Sequence, residues 1–439
     1  MATLFSPWRT APSASGLRLA DIVDLLTETP VAFRFSAYDG SRTGPEDAAI
    51  GLHVNSPRGV AYLATAPGSL GMARAYVAGD LDVVGVHPGN PYELLVALGE
   101  GLHWRRPDPV TLARAARALG VARLLPPPPP PQEALPDWRR TLYGMVHSRN
   151  RDAEAIHHHY DVSNTFYEMV LGPSMTYTCA CYPTADATLE QAQAAKYDLV
   201  ARKLDLKPGM RLLDVGCGWG GMVRHAAREY GVSALGVTLS REQATWAQEA
   251  IEREGLGDLA EVRFADYRDV VETGFDAVSS IGLTEHIGVA NYPAYFRFLR
   301  ERLRPGGRLL NHCITRPDNN HVPRVKRGFI DRYIFPDGEL TGAGKIITEA
   351  QNAGLEVRHE ENLREHYAMT CAAWSDNLVA HWDACVAEVG LATAKIWGMY
   401  IAGSRLGFER NQVELHQVLA VRLGDHGESG MPLRPTWAS

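Results

Sequence analysis

A glycine-rich segment contains the residues whose types and spacing most directly indicate chemistry. Residues 212–221 read LLDVGCGWGG, so an apolar run and an acid lead into closely spaced glycines. Where such a segment turns from a strand into a helix, glycines permit a tight turn and let a ligand approach the backbone N–H groups at the helix start. We therefore expect Asp214, Gly216, Gly218 and Gly220 to line a nucleotide-type cofactor site.

The position of the acid distinguishes two classes of cofactor. A dinucleotide site has its acid about 20 residues after the glycines, whereas Asp214 precedes them and residues 238–243 offer hydroxyl and amide groups. A carboxylate suits the amino-acid end of S-adenosylmethionine, and neutral polar groups suit its ribose. The pattern therefore favours S-adenosylmethionine. The other residues predicted to bind it are Thr238, Ser240 and Gln243 after the second strand, and Asp266 and Tyr267, near the adenine, after the third.

After residue 204 the sequence has short apolar runs separated by helix-length segments. As strands and helices, they would position the glycine-rich loop. They predict an α/β fold with a doubly wound, mainly parallel sheet and helices between its strands. Glu285 follows the fourth expected strand and His312 ends the fifth, so both are expected at the edge where open α/β sheets bind ligands. The expected strands are Arg211–Val215, Ser233–Thr238, Ala260–Ala265, Phe275–Ile281 and Gly307–Ile314.

The chain before this region predicts a small α+β domain over residues 1–125. Six consecutive prolines, Pro126–Pro131, predict a polyproline II linker over residues 126–136. The catalytic domain would then occupy residues 137–439. The elements expected in the small domain are helices over Leu17–Leu26 and Gly68–Ala78 and strands over Val31–Tyr38, Ile50–Asn55 and Val60–Ala64.

Composition excludes several classes of protein. The 439 residues are 45% hydrophobic and 22% charged, which indicates globular units, and a net charge of −7 gives no global reason to bind nucleic acid. No apolar run approaches the ~18–20 residues of a spanning helix, and the N-terminus lacks the apolar core of a secretory signal, so we expect a cytoplasmic protein. The six cysteines form no CxxC pair, and consecutive His157–His159 point in divergent directions, so no metal site is expected.

An arginine-rich stretch, Trp104–Arg151, contrasts with this net charge. It holds nine arginines against three acids, a local excess of +6. One interpretation is a solvated helical hairpin. The other is a contact with anionic lipid headgroups, where each cation contributes on the order of 1 kcal/mol. The sequence alone leaves both open.

Several motifs in one order resemble the cyclopropane-fatty-acyl-phospholipid synthase family of S-adenosylmethionine-dependent lipid methyltransferases, including its 10-methylene, tuberculostearic-type branch. The resemblance extends from about Ala73 to Leu423. The matching motifs are AYVAGDLD at 75–82, HYDVSNTFY at 159–167, YTC at 177–179, GCGWGG at 216–221, GVTLS at 236–240, TEHIG at 284–288 and YIFP at 333–336.

The resemblance implies which residues carry the chemistry. Family members use a bicarbonate ion as the base, and the residues around it correspond to Cys179, Glu285, His312, the backbone of Ile314, and Tyr367. Tyr177 and Thr178 fall in the cofactor-binding set. The resemblance also implies a class I methyltransferase domain, a lipid-handling N-terminal domain and a homo-oligomer. We expect this cytoplasmic enzyme to be peripheral on the inner face of the membrane.

The implied reaction moves a methyl group to the cis double bond of a phospholipid acyl chain. The π electrons attack the methyl directly, so the site must tolerate a carbocation and remove one proton; Tyr177, Tyr333, Phe335 and Trp374 are candidate aromatic walls. Immediate loss of the proton gives a cyclopropane. A prior hydride shift gives an exocyclic methylene, which a separate reductase partner would saturate.

Two departures from the family pattern favour the methylene product. Thr284 stands where ring-forming members carry an aromatic residue, and Ser404 stands where many members carry a cysteine. Two alternatives stay open from the sequence. One is an S-adenosylmethionine-dependent methyltransferase acting on a soluble oxygen or nitrogen acceptor, and the other is a lipid-binding protein that has lost catalysis.

Overall fold

The structure is a computed structural model that describes residues 16–103, 105, 108–133, 162–320, 328–335 and 338–437. The predictions for His157–His159, for Pro336 and for part of the arginine-rich stretch (residues 104, 106–107 and 134–151) lie outside these residues. The helices are α1 (Leu19–Leu26), α2 (Pro57–Thr65), α3 (Ser69–Val77), α4 (Tyr92–Gly101), α5 (Pro109–Leu119), α6 (Asn164–Leu171), α7 (Leu189–Leu204), α8 (Gly221–Tyr230), α9 (Arg241–Arg253), α10 (Thr284–Ile287), α11 (Tyr292–Arg302), α12 (Phe329–Tyr333), α13 (Ala343–Asn352), α14 (Arg364–Ala380), α15 (Trp382–Val389) and α16 (Leu391–Glu409).

The strands belong to two sheets, and the chain divides into two compact units. The first unit comprises Met1–Ala134, Val325–Ile334 and Leu378–Leu406, and the second comprises the remainder. The domain boundaries predicted from the sequence, at residues 125 and 137, assign the two later segments of the first unit to the catalytic domain. The strands are β1 (Arg34–Ala37), β2 (Arg42–Thr43), β3 (Gly51–Val54), β4 (Leu81–Val84), β5 (Arg211–Val215), β6 (Ser233–Thr238), β7 (Ala260–Phe264), β8 (Phe275–Ile281), β9 (Leu303–Thr315), β10 (Glu356–Asn362) and β11 (Glu414–Val421).

The first unit contains a mixed four-stranded sheet in the order β2-β1-β3-β4, in which β1 and β3 are parallel. Phe33, Tyr62 and Tyr76 are buried in its core. The predicted strand Val60–Ala64 is wrong, because these residues lie in α2. Ser56 caps this helix by accepting hydrogen bonds from the N–H groups of its second and third residues, and a proline occupies its first position, which together favour a helix start.

The second unit contains a seven-stranded sheet in the order β10-β11-β9-β8-β5-β6-β7. Neighbours among β5–β9 are parallel, while β11 is antiparallel to both β9 and β10. This confirms the predicted doubly wound α/β fold. Strands β10 and β11 were not predicted from the sequence; β10 reads EVRHEEN and lacks the apolar run by which the other strands were recognised.

Two apolar layers cover the sheet of the second unit. One includes Leu204 of α7, Met222 of α8 and Ile251 of α9, and the other includes Leu299 of α11 and Ile346 of α13. The connections diverge from β5, which has β6 on one side and β8 on the other, so the carboxyl end of β5 is a topological switch point where such sheets bind ligands. Within the described residues, no helix combines the length and hydropathy needed to cross a bilayer.

Candidate active site

The glycine loop leaves β5 at the switch point and leads directly into α8. The N–H groups of Gly216 and Cys217 donate to the carbonyl of Val237 at the end of the neighbouring β6 (2.9 and 3.0 Å). Gly218 has a φ of +54°, and a Cβ added there would meet no atom within 4 Å. The backbone at this position is therefore open to the close approach of a ligand beside the start of α8.

Asp214 is the penultimate residue of β5, just before the loop, and is buried in the sheet. Ser279 of the adjacent β8 donates its hydroxyl to one carboxylate oxygen of Asp214 (2.6 Å), and burial raises the pKa of Asp214 to about 6. The neighbouring strand thus fixes the orientation of this carboxyl group. Its contact with the amino-acid end of the cofactor remains a prediction.

The predicted ribose-binding residues come together where β6 meets α9. The Thr238 hydroxyl donates to the Gln243 side-chain oxygen (2.8 Å), and the Ser240 hydroxyl accepts from the Gln243 N–H (3.3 Å), which caps α9. After β7, the Asp266 carboxylate pairs with Arg268, while Tyr267 packs edge-on against aromatic rings of α11. The structure therefore brings the predicted cofactor residues to adjacent strand ends.

Glu285 lies in α10, directly after β8, and is held by the next strand. One of its carboxylate oxygens accepts a hydrogen bond from the Ile314 N–H of β9 (2.7 Å), and burial raises the pKa of Glu285 to about 7. The other oxygen, Oε2, is buried and has no hydrogen-bond partner within the described residues. The Ile314 N–H, which the resemblance assigns to the ion-binding set, thus holds Glu285 in this structure.

His312 is fully buried on β9, two residues before Ile314 and therefore on the same face of the strand. Its Nδ1 lies 3.2 Å from the side-chain nitrogen of Gln417, while its Nε2 is buried without a partner among the residues that the structure describes. Burial and the nearby Lys196 and Lys203 charges hold the pKa of His312 well below its usual value. The ring is therefore neutral at physiological pH.

Cys179 and Tyr367 are connected through one backbone carbonyl. The Cys179 thiol is fully buried and lies 3.8 Å from the carbonyl oxygen of Leu363, which also accepts from the Tyr367 N–H (3.2 Å). Burial raises the pKa of the thiol well above its usual value, so Cys179 is protonated. The preceding Thr178 packs at the end of β8, since its methyl group would lie 2.9 Å from a Cβ added at Gly282.

A continuous row of six aromatic rings runs from the glycine loop to α14 and the end of α16. Successive ring centroids are 4.8, 5.9, 5.4, 6.1 and 4.3 Å apart. The row includes two of the predicted aromatic residues, Tyr177 and Trp374, whereas Phe335 contacts His286 and Tyr333 belongs to the first unit. In order, the rings are Trp219, Tyr167, Tyr177, Trp374, Tyr367 and Phe408.

Two buried lysines of α7 were not predicted from the sequence as part of the site. Lys196 and Lys203 have fully buried side chains, which is rare for lysine. Lys196 donates to the Thr178 hydroxyl (3.1 Å), and burial lowers its pKa to about 7. Their spacing of seven residues, which places both on one helix face, was the available signal.

Comparison with known proteins identifies the family. The family model described as mycolic acid cyclopropane synthetase matches residues 147–418. The chain belongs to this family. A probable fatty acid methyltransferase of Mycobacterium tuberculosis is 63% identical over 96% of this chain and 98% of its own length. A tuberculostearic acid methyltransferase of the same species is 30% identical over 94% of this chain and 93% of its own length.

Solved structures agree with this assignment to the mycolic acid cyclopropane synthetase family. A crystal structure of a mycolic acid cyclopropane synthase in complex with SAH and CTAB matches with a TM-score of 0.57 and 32% identity, over 61% of this chain and 97% of that one. The family resemblance predicted from the sequence is therefore confirmed, as is the class I methyltransferase fold. The chain is an S-adenosylmethionine-dependent methyltransferase, and its glycine loop fits that cofactor.

Proposed function

We propose that this enzyme transfers the methyl group of S-adenosylmethionine to the cis double bond of an unsaturated phospholipid acyl chain. The observation that carries the proposal is the pair of buried polar atoms without partners among the described residues, Glu285 Oε2 and His312 Nε2, near the edge of a sheet whose site contains a protonated thiol. An alcohol or a protonated amine must lose a proton before it attacks the methyl group, whereas an alkene attacks with its π electrons and loses a proton only afterwards.

The aromatic row supports the carbocation that such a reaction forms. Ring faces attract a cation, and the effect is larger where water is excluded. Tyr177 and Trp374 lie in the middle of the row, and Trp374 is almost completely buried. The Cys179 thiol is protonated and therefore competes poorly with the alkene for the methyl group.

The same residues fit a small oxyanion such as the bicarbonate that the resemblance implies. Nε2 of His312 can donate to an oxygen of the ion, and the resemblance adds Tyr367 to the residues around it. When bound, the ion supplies the base for the proton of the transferred methyl. With its pKa of about 7, Glu285 can hold or release a proton near neutral pH.

For the product, we propose the methylene-branched chain, as in the precursor of a tuberculostearic-type acid, with cyclopropane as the other outcome. Thr284 is buried and donates its hydroxyl to the Asn311 side chain (2.6 Å), so this position contributes no aromatic wall. The full-length similarity to a tuberculostearic acid methyltransferase supports the same product. Saturation would require a separate reductase, because the sequence has one nucleotide loop.

Mass spectrometry of lipids tests the proposal directly. The chain, expressed without a reductase in a host that makes monounsaturated phospholipids, should give acyl chains heavier by one CH2 unit. With a reductase that saturates the methylene, the chains should be heavier by a further two hydrogens. Ozonolysis separates an exocyclic methylene, which is cleaved, from a cyclopropane, which is not. Unchanged phospholipids together with methylation of a soluble oxygen or nitrogen acceptor would refute the acyl-chain assignment.

We further propose that the enzyme is cytoplasmic, self-associates and docks on the inner face of the membrane. Val110, Arg114 and Arg117 share one face of α5, and all three are exposed. Val121 and Leu125, just beyond the helix, are 78% and 59% exposed. Cations beside exposed apolar side chains suit anionic lipid headgroups and their acyl boundary.

A further inference from the structure

A row of polar side chains crosses three strands of the second unit and ends at His312. In the antiparallel pairing of β10 with β11, Glu361 lies opposite Gln417, and in that of β11 with β9, Gln417 lies opposite His312. Residues directly opposite each other in antiparallel strands present their side chains on the same face. Gln417 and His312 are both fully buried.

Lys203 reaches this row from α7. Its ammonium group donates to the side-chain oxygen of Gln417 (2.8 Å) and forms an ion pair with Glu361. The lysine side chain is fully buried, whereas that of Glu361 is 37% exposed. A buried ammonium group is costly unless it is paired and hydrogen-bonded, so the position of Lys203 is strongly constrained by these two partners.

The types of these groups determine which His312 nitrogen carries the proton. An ammonium group can only donate, so the Gln417 atom that faces Lys203 is the amide oxygen, and the amide NH2 faces His312. Since the NH2 group also only donates, Nδ1 of His312 must accept. A neutral imidazole carries one proton, which therefore resides on Nε2, the nitrogen without a partner among the described residues.

We propose that Lys203 and Gln417 are positioning residues that fix His312 in its Nε2–H form. His312 then donates a hydrogen bond to an oxyanion or a substrate oxygen in the reaction pocket and does not accept the proton lost from the transferred methyl group. The role in turnover rests on the proposed function. The protonation of the ring does not, because it is measurable without any substrate.

Nitrogen-15 NMR of protein with labelled histidines tests the protonation state. His312→Asn identifies the signals of His312, and the wild type should show an unprotonated Nδ1 and a protonated Nε2. Gln417→Glu places a carboxylate between Lys203 and His312, which accepts from both, so the proton should move to Nδ1. A wild-type ring that is protonated at Nδ1 overturns the proposal, whatever the variants do.

Kinetics on vesicles of monounsaturated anionic phospholipid test the consequence. Gln417→Glu should lower kcat on the order of 10²-fold, as expected for the loss of one donor in a buried site, with little change in the KM for S-adenosylmethionine. Lys203→Met should show a mixture of the two protonated forms of the His312 ring and a kcat between those of the wild type and Gln417→Glu. Lys203→Arg should restore the Nε2–H form and the wild-type kcat. Lys207→Met, at a position 62% exposed, serves as the control.

The outcomes separate the two proposals. If Gln417→Glu does not fold, the wild-type spectrum and the variants Lys203→Met and Lys203→Arg still test which nitrogen of His312 carries the proton. A Gln417→Glu protein whose ring proton moves while kcat stays at the wild-type value overturns the positioning role. If the wild type methylates no acyl chain, the proposed function fails, and the ring protonation is still read independently.

Discussion

Glu285→Gln separates the roles of charge and shape at the end of β8. The variant keeps an oxygen that accepts from the Ile314 N–H, whose present distance is 2.7 Å, and removes the ionisable proton. Glu285 belongs to neither the glycine loop nor residues 238–243. We therefore expect an unchanged affinity for S-adenosylmethionine and a turnover lower by about 10²–10⁴-fold, the range typical of acid–base groups.

The same substitution has a calculable effect on stability. Burial raises the pKa of Glu285 from 4.5 to about 7, so its contribution to stability is complete below pH 4.5 and is lost as the pH rises through 7. Ionising the buried carboxyl group costs about 3 kcal/mol at one pKa unit per 1.36 kcal/mol. Glutamine does not ionise, so only the wild type loses this contribution. The free energy of unfolding of the variant, relative to that of the wild type, should therefore increase between pH 5 and pH 8.

Three measurements check this reasoning. Calorimetry gives the affinity for S-adenosylmethionine, and the rate of product formation on phospholipid vesicles gives turnover. Urea unfolding at pH 5 and pH 8 gives the free energy of unfolding. Glu249→Gln, at a position 61% exposed on α9, is the matched control and should change none of them. A Glu285→Gln enzyme with full activity, or one whose only defect is lost cofactor binding, would refute the assignment of Glu285 to proton handling.

Three further predictions concern the cofactor site, the membrane surface and the core. Gly218→Val should abolish binding of S-adenosylmethionine by calorimetry, because the side chain enters the space that a ligand would use. Arg114→Glu with Arg117→Glu should weaken binding to anionic vesicles, and wild-type binding should fall with salt, since charges are screened within ~10 Å at 0.1 M. Thr284→Val should lower the free energy of unfolding by about 1–3 kcal/mol, because it leaves the buried Asn311 oxygen without its donor.

Each of these variants has an internal comparison. Gly255 also has a positive φ (+67°) and no atom within 4 Å of an added Cβ, so Gly255→Val reproduces the backbone strain without the cofactor site. Lys207→Glu with Arg253→Glu reverses two exposed charges of the second unit. Equal vesicle binding by both charge-reversed proteins would show that the α5 surface is only solvated, and Thr284→Ser, which keeps the hydroxyl, should lose less stability than Thr284→Val.

Local patterns in the sequence predicted much of the second unit. The apolar runs that became β5, β6, β7, β8 and β9 are short and bounded by turns, so their strand state follows from neighbouring residues. Val60–Ala64 differ, because their apolar run predicted a strand, whereas the Ser-Pro pair before them starts a helix. Glu285 and His312 were predictable as a pair, because parallel strands bring their carboxyl ends to one edge.

The sequence by itself determined the cofactor class, the fold class and the family, because each depends on residues close together in the chain or on motifs in a fixed order. Only the tertiary structure decided what surrounds His312. Gln417 is 105 residues from His312 and Lys203 is 214 residues from Gln417. These contacts depend on the register of two antiparallel strand pairs and on the seating of α7 over the sheet, which are set by packing across the whole unit.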